Sequence, residues 1–352
     1  MNDYFCVLPF FGYEFSPNHG THCCLLPRGH DINEIRQDML DKKRSPQCSA
    51  CWKLEDSGLT SDRQLKNSAL DFYSNRDIRF IEEDARQGKY ETTLIKLITS
   101  NKCNSTCVTC NSGASTAWGE LSKKGKIIDI NPKSALSQET IDGLSFDKLV
   151  GINFIGGEPL YEQRNFYIIE NLIKHNNTDC FISFTTNGSV GINSVNKNLL
   201  SQFKNINIGL SIDGIGPVFE YMRYPLKWKK LLANLEFFKT ITNNISVNQC
   251  TSNVNVYYYD ETTAWFESQN LSYHHNPVIT PSYFRPSALP LRVKEKIRSM
   301  SDKTEAFVST HTDEDDRDFQ LMLVELKKQD QLKNIDIKNY LPDFWNLILQ
   351  NS

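Results

Sequence analysis

The sequence predicts an α/β fold built on a parallel sheet of six strands. Strand-like apolar runs alternate with segments whose apolar residues recur every three or four positions, the spacing of one helix face. Phe166, Ile169 and Leu172 show this spacing in one segment, and Leu231 and Leu235 show it in another. Alternating β and α units imply parallel strands joined by right-handed crossovers.

The six predicted strands lie in residues 93–99, 152–155, 181–188, 206–214, 245–251 and 272–279. Residues 91–280 would then form the main domain, with its chemistry at the carboxyl ends of the strands. We interpret residues 1–90 as a small cysteine-rich domain and residues 281–352 as a helical C-terminal extension. Residues 118–137 resemble a polar insertion, and the acidic residues 313–318 are interpreted as a solvated linker.

Three cysteines follow the first predicted strand directly. Cys103, Cys107 and Cys110 stand in the run Cys-Asn-Ser-Thr-Cys-Val-Thr-Cys. Three thiolates can hold three irons of a 4Fe–4S cluster, which normally takes four, so the fourth iron would stay open to another ligand. Zinc is the alternative, but it requires a fourth Cys or His nearby, and the next histidine, His175, is far along the chain.

A second motif, Gly156-Gly157-Glu158-Pro159, follows the second strand. Its glycines let the backbone approach a ligand closely, and its carboxylate could receive an ammonium group. An ordinary strand-to-helix turn is the alternative. The third strand ends in Thr-Asn-Gly, with Asn187, and the fourth in Ser-Ile-Asp-Gly, with Ser211 and Asp213.

These four motifs, in this order, resemble those of the radical S-adenosylmethionine (SAM) superfamily. The resemblance implies a partial (β/α)6 TIM-type barrel in which Cys103, Cys107 and Cys110 hold the cluster and SAM chelates the open iron. It further implies reductive cleavage of SAM to a 5′-deoxyadenosyl radical, which abstracts a hydrogen atom, and a flavodoxin- or ferredoxin-type electron donor.

The resemblance also carries SAM-binding residues over to this chain by motif. Gly156, Gly157 and Glu158 would face the amino group of SAM. Ribose and carboxylate contacts would come from Asn187, Ser211 and Asp213. Arg223 is a candidate partner of the SAM carboxylate, since a guanidinium fork suits that group. The alternative is a surface arginine that follows a strand.

A second set of cysteines lies near the start of the chain. From the residues alone, disulfides or an all-thiolate zinc site remain open. Three patterns, Cys-x-Leu-Pro-Phe, Gly-x-x-Cys-Cys and Cys-x2-Cys-Trp, resemble a twitch or SPASM auxiliary-cluster domain. That resemblance implies a second 4Fe–4S cluster, although in most relatives this domain follows the barrel. Its ligands would be Cys6, Cys23, Cys48 and Cys51, with Cys24 as an alternative to Cys23.

Composition excludes some classes of protein. The 352 residues are 39% hydrophobic, and no apolar run is long enough to span a bilayer. A net charge of −3 argues against a general nucleic-acid surface, because phosphate binding requires excess Lys and Arg. The first residues lack the basic region and cleavage site of a signal peptide, so we expect a cytoplasmic protein.

Three functions remain open. The leading hypothesis is a radical SAM oxidoreductase that modifies a peptide or protein by oxidation, crosslinking or epimerisation. The second is a radical SAM dehydrogenase or modifier of a small molecule such as a sugar or aminocyclitol. The third is a non-catalytic metal-binding scaffold, against which the Gly-Gly-Glu-Pro motif argues. Cys250, late in the fifth strand, is a candidate hydrogen donor or substrate contact, although free cysteine is often core.

Overall fold

The computed structural model describes residues 3–17, 19–56, 58, 60–74, 78–125, 134–308 and 311–350. It has a mixed α/β fold around one mostly parallel sheet, with strand order β2-β1-β3-β4-β5-β6-β7-β8. The strands are β1 Gly12–Phe15, β2 Gly20–Thr21, β3 Leu94–Ile98, β4 Gly151–Ile155, β5 Phe181–Thr186, β6 Ile206–Ser211, β7 Ile245–Thr251 and β8 Ser272–Pro277.

The described helices are α1 Leu8–Phe11, α2 Ile32–Leu40, α3 Ser49–Asp56, α4 Asp62–Ser74, α5 Ile78–Arg86, α6 Thr116–Lys124, α7 Gln138–Asp142, α8 Gln163–Lys174, α9 Ser194–Leu200, α10 Pro217–Met222, α11 Trp228–Phe238, α12 Tyr259–Ser268, α13 Leu291–Met300, α14 Glu305–Val308, α15 Asp313–Lys333 and α16 Pro342–Gln350. None of these helices is long and apolar enough to cross a bilayer.

The six predicted strands are confirmed as β3 to β8. Parallel pairing joins β3 to β4, β4 to β5, β6 to β7 and β7 to β8. Alternate residues of the central strands, such as Leu97, Phe154 and Phe184, are buried in the core. The parallel α/β sheet is therefore as predicted, while its closure into a partial (β/α)6 barrel stays a prediction.

Two strands that the sequence did not predict come from the N-terminal segment. β1 pairs in parallel with β3, from Gly12 opposite Leu94 to Phe15 opposite Leu97, and antiparallel with β2. The segment Gly-Tyr-Glu-Phe is only four residues long, too short to show a clear strand pattern, and its pairing with β3 is visible only in the structure.

The chain forms two compact units. The first comprises Met1–Ser100, Ser134–Phe184 and Asn193–Asn207, and the second comprises Asn101–Lys133, Thr185–Ile192 and Ile208–Ser352. In the first unit, the N-terminal helices pack around Phe5, Phe10 and Ile35. In the second, α13 to α16 share one core with Val108 and Met222. The predicted domain borders at residues 90 and 280 stay predictions.

The acidic residues 313–318 are not a linker, so that prediction is wrong. They form the first turns of α15, where Thr312 and Asp315 make a reciprocal capping box. Asp315 is buried and accepts hydrogen bonds from Lys294 Nζ at 2.8 Å and Arg285 Nη2 at 2.9 Å. Cations from elsewhere in the chain, invisible in local composition, thus neutralise part of the acidic stretch.

The predicted insertion at residues 118–137 begins within α6. Trp118 is buried in this helix, and the Ser115 side chain caps its start by accepting a hydrogen bond from the Trp118 N–H. Residues 126–133 lie outside the described residues. The segment therefore begins with a helix that buries Trp118, and the polar insertion stays a prediction.

Candidate functional site

The cysteine loop, residues 101–115, lies in the second unit and carries Cys103, Cys107 and Cys110. Its backbone bonds to the end of α10: Thr106 N–H donates to Tyr224 O at 2.6 Å, and Val108 N–H donates to Met222 O at 2.8 Å. Because both neighbours of Cys107 are fixed in this way, Cys107 lies opposite Arg223.

Polar side chains set the spacing of the cysteines. The Ser105 hydroxyl lies 3.3 Å from Cys103 Sγ and 3.4 Å from Cys107 Sγ. The distance between the two sulfurs therefore cannot exceed the sum of these two distances. The Thr116 hydroxyl donates to Cys103 O at 3.1 Å, and the Trp118 indole donates to Cys107 O at 2.9 Å. The hydrogen bonds to these two carbonyls hold the loop in shape without occupying the sulfurs.

The three thiols favour binding of a cation. Burial raises the pKa of Cys110, and negative charge on Cys107 and Cys103 raises it further. Cys110 therefore resists ionising beside two other thiolates unless positive charge joins them. Iron in a cluster supplies that charge and takes one thiolate on each of several irons. The donor set accordingly fits an iron–sulfur cluster.

Arg223 and Asp213 form a buried ion pair next to Cys107. Their side chains are 10% and 2% exposed, and Arg223 Nη2 lies 2.9 Å from one Asp213 oxygen and 3.0 Å from the other. Arg223 Nη1 lies 4.0 Å from Cys107 Sγ. The alternative of a surface arginine is therefore wrong. Burial lowers the pKa of Arg223, but the negative charges of Asp213 and Cys107 outweigh this effect and raise it overall.

One nitrogen of this pair lacks a hydrogen-bond partner in the part of the chain that the structure describes. Arg223 Nε is buried and, among the described residues, makes no hydrogen bond. A buried N–H left unsatisfied costs about 1–3 kcal/mol, so native proteins rarely leave one without a partner or a ligand. A carboxylate-bearing ligand beside the cysteine loop would satisfy it.

Cys250 lies near the end of β7, close to Asp213. Its N–H donates to Asp213 Oδ1 at 2.9 Å, and the Asn255 amide donates to both Asp213 O, at 2.7 Å, and Cys250 O, at 2.8 Å. Burial raises the pKa of the Cys250 thiol to about 12, with the Asp213 charge as the next cause. This thiol is therefore protonated at neutral pH. Ser211 ends β6, opposite Asn248 of β7.

Asn187 follows β5 and bonds to the cysteine loop. Its Nδ2 donates to Asn104 Oδ1 at 2.9 Å, and its Oδ1 accepts hydrogen bonds from the Ser189 N–H at 2.9 Å and the Ser189 hydroxyl at 2.6 Å. The Asn104 amide in turn donates to Ser189 Oγ at 2.8 Å. In the described residues, then, Asn187 holds the loop segment next to Cys103.

The Gly-Gly-Glu turn lies in the first unit. Gly156 has φ +113°, and a Cβ there would lie 2.8 Å from Ser100 O, so only glycine fits. Gly157 N–H donates to Ser100 O at 3.0 Å. Glu158 is buried, and its Oε1 accepts a hydrogen bond from Leu160 N–H at 3.1 Å. The turn is thus ordered, with a buried carboxylate at its end.

The N-terminal cysteines gather at one pocket in the first unit. Cys6, Cys23, Cys48 and Cys51 all line it, together with apolar residues and Arg63. Cys24 is not among the lining residues. Its sulfur instead lies 3.3 Å from Lys96 Nζ, which is 2.9 Å from Glu14 Oε2.

Arg63 joins the parts of this pocket. Its Nη1 donates to Phe5 O at 2.9 Å, beside Cys6. Its Nη2 lies 2.7 Å from Glu55 Oε2 in α3, the helix that carries Cys51. The segments of Cys6 and Cys51 are therefore tied together by a side chain that the sequence did not single out.

The bonding and pKa values of these cysteines bear on the choice between disulfides, a zinc site and an iron–sulfur cluster. All ten cysteines are free, so the disulfide alternative is wrong for this structure. Burial raises the pKa of the Cys48 thiol to about 11, and it also raises the pKa values of Cys6 and Cys51. Among the described residues, no three His, Cys, Asp or Glu side chains are grouped to hold a single metal ion. A cluster spreads its thiolates over separate irons, whereas tetrahedral zinc requires all four donors at one point.

Two residues of α15 near the cysteine loop were missed by sequence reasoning. The Gln329 amide donates to Val108 O at 3.0 Å, although the two residues are 221 positions apart. Lys333 Nζ lies 4.7 Å from the centre of the Trp118 ring. No local pattern signals either contact, because each depends on how the C-terminal helices pack.

No family model and no curated protein matches the chain. Solved structures that resemble it are radical SAM enzymes. Histidine-tagged anSMEcpe with bound AdoMet is 18% identical at a TM-score of 0.45, over 60% of this chain and 57% of that protein. Streptococcus suis SuiB bound to S-adenosylmethionine is 12% identical at a TM-score of 0.41, over 78% of this chain and 63% of SuiB. SuiB bound to precursor peptide SuiA is 13% identical at a TM-score of 0.42, over 78% of this chain and 63% of SuiB.

The chain thus spans less than two thirds of the length of these proteins.

Proposed function

We propose that this chain is a radical SAM enzyme whose catalytic cluster is held by Cys103, Cys107 and Cys110. The observation that carries the proposal is the buried Arg223 beside Cys107. Its Nε has no partner among the described residues, and Asp213 fixes its other end. A buried guanidinium with an unsatisfied N–H beside the cysteine loop suits a carboxylate ligand at that point.

The bound cluster would supply the electron that cleaves SAM reductively, and the residues of the chain position and enclose the reactants. Arg223 binds the SAM carboxylate through its free N–H, and Asp213 holds Arg223 in place rather than touching SAM. Gly156, Gly157 and Glu158 bind the amino group. The Asn187 and Ser211 side chains contribute to ribose contacts.

The finer proposal is oxidation, crosslinking or epimerisation of a peptide or protein, with a flavodoxin- or ferredoxin-type electron donor. It rests on the resemblance of the N-terminal cysteines to an auxiliary-cluster domain and is supported by their shared pocket. Cys6, Cys23, Cys48 and Cys51 would hold the second cluster. Cys250, whose thiol stays protonated at neutral pH because burial raises its pKa to about 12, suits a hydrogen donor.

Anaerobic reconstitution tests the core of the proposal. The full chain, supplied with iron and sulfide and reduced with dithionite, is expected to convert SAM to 5′-deoxyadenosine and methionine, measured by liquid chromatography. Arg223→Met should raise the apparent Kd for SAM by at least about tenfold, since a charged hydrogen bond is worth roughly 1.5–3 kcal/mol. Protein that contains zinc in place of iron, or iron-loaded protein that leaves SAM intact, would refute the proposal.

The ligand choice between the two adjacent cysteines gives a separate prediction. Cys23 lines the four-cysteine pocket, whereas Cys24 contacts Lys96. We therefore expect Cys23→Ala to lose iron amounting to about one cluster per chain, and Cys24→Ala to keep the iron content of the unmodified protein. Iron and sulfide analysis of the two variants, prepared side by side, checks this. The reverse pattern would make Cys24 the ligand.

A further inference from the structure

Lys333 presents a buried positive charge near the cysteine loop. It is 6% exposed, near the end of α15, and its Nζ donates to Gln329 Oε1 at 2.9 Å. The Trp118 ring lies beneath the ammonium at 4.7 Å, a cation–π distance. Trp118 and Gln329, the two side chains that Lys333 contacts, also bind the cysteine loop. Trp118 donates a hydrogen bond to Cys107 O, and Gln329 donates one to Val108 O.

The ammonium of Lys333 is not held in a close ion pair with any carboxylate of the described residues. Among the described residues, Lys333 makes no ion pair within 4.0 Å, and its hydrogen-bond acceptor is a neutral amide. Asp330, one turn earlier, instead accepts hydrogen bonds from the Tyr221 hydroxyl at 2.9 Å and the Ile337 N–H at 2.8 Å. Arg223, the other cation near Cys107, is already paired with Asp213. Lys333 is therefore a buried positive charge near the cysteine loop that no described carboxylate holds in a close ion pair.

A buried, unpaired ammonium is costly, and a protein keeps one where an opposite charge appears. Burial lowers the pKa of Lys333 to about 8, while negative charge on Cys107, Asp330, Glu325 and Cys110 acts in the opposite direction. Cys107 makes the largest of these contributions, so the cysteine loop and whatever it binds take part in compensating the charge of Lys333.

We propose that Lys333 sets the reduction potential of the cluster at Cys103, Cys107 and Cys110, stabilising its reduced form through its positive charge. This inference rests on the proposed function. Reduction adds one electron to the cluster, and a nearby cation in a region of low dielectric favours the state with more negative charge. Lys333 acts through its electric field at the cluster and through its contacts with Trp118 and Gln329. It does not touch the substrate.

The test is a potentiometric titration of the reconstituted full chain without SAM, followed by electron paramagnetic resonance. The signal that changes when SAM is added identifies the cluster of interest. Lys333→Met is expected to lower the equilibrium constant for reduction roughly tenfold, which is about 59 mV for a one-electron couple. Lys333→Arg, which keeps the charge, should restore most of the shift. Lys327→Met, an exposed lysine of the same helix, should leave the potential unchanged.

Lys333→Gln provides a second neutral variant that can still hydrogen-bond to Gln329, and it should reproduce the shift. An unchanged potential in iron-replete Lys333→Met or Lys333→Gln would overturn the inference. Loss of the cluster in both neutral variants but not in Lys333→Arg would also overturn it, since Lys333 would then be needed for assembly. Failure of the unmodified protein to bind a SAM-responsive cluster would refute the proposed function instead.

Discussion

Replacement of Cys107 by alanine is expected to abolish SAM cleavage. Cys107 is the central cysteine of the loop, with both neighbours bonded to the end of α10 and its sulfur facing Arg223. Removing its thiolate would leave only two of the three proposed ligands for the cluster. We expect loss of about four irons per chain and a fall in 5′-deoxyadenosine formation of at least about 1,000-fold, in line with loss of a group essential to the reaction.

Cys180→Ala is the matched control. Cys180 is buried before the start of β5 and belongs to neither cysteine set. This variant should keep full iron content and SAM cleavage after a modest stability loss. Circular dichroism of both variants separates local loss of the cluster from unfolding. Full iron and activity in Cys107→Ala would remove this cysteine from the proposed ligand set.

Asp315→Ala is expected to destabilise the second unit more than any surface change. Asp315 and Lys294 are 3% and 1% exposed and lie 2.8 Å apart, and Asp315 also completes the capping box of α15. Removing one partner of a buried ion pair costs about 3–5 kcal/mol, because the other charge stays buried and unpaired. Thermal unfolding should show a Tm lower by on the order of 10 °C.

Asp313→Ala removes an exposed acid from the same helical turn and should shift the Tm by no more than about 2 °C. The pH dependence gives a second readout. Burial alone raises the pKa of Asp315, but the hydrogen bonds from Lys294 and Thr312 N–H lower it overall from 3.8. The stabilisation is therefore fully present above pH 3.8 and fades as pH falls through the lower folded value. Equal stability of Asp315→Ala and the unmodified protein at pH 7 would contradict this role.

The strands could be predicted because their signal is local. The apolar runs at residues 93–99 and 245–251 coincide closely with β3 and β7. β1 escaped prediction because its four residues become a strand only by pairing with β3. The acidic residues 313–318 were misread for a related reason. Composition counts their charges but not the Lys294 and Arg285 side chains that meet them.

The same distinction between local sequence signals and contacts made by packing applies to the candidate site. Cysteine spacing is a property of consecutive residues, so Cys103, Cys107 and Cys110 were identifiable from the sequence. The sequence does not distinguish the surroundings of Cys23 and Cys24, whereas in the structure Cys23 lines the pocket and the Cys24 sulfur contacts Lys96.

By itself, the sequence determined the alternating α/β order and the residue types that can bind iron, because both depend only on residues close together in the chain. Only the tertiary structure decided which charges surround those thiols. Arg223 is buried against Asp213, and Lys333 comes from a helix more than 200 residues after the loop. Electrostatic interactions depend on distance and burial in space, and for residues so far apart in the chain both are fixed by packing alone.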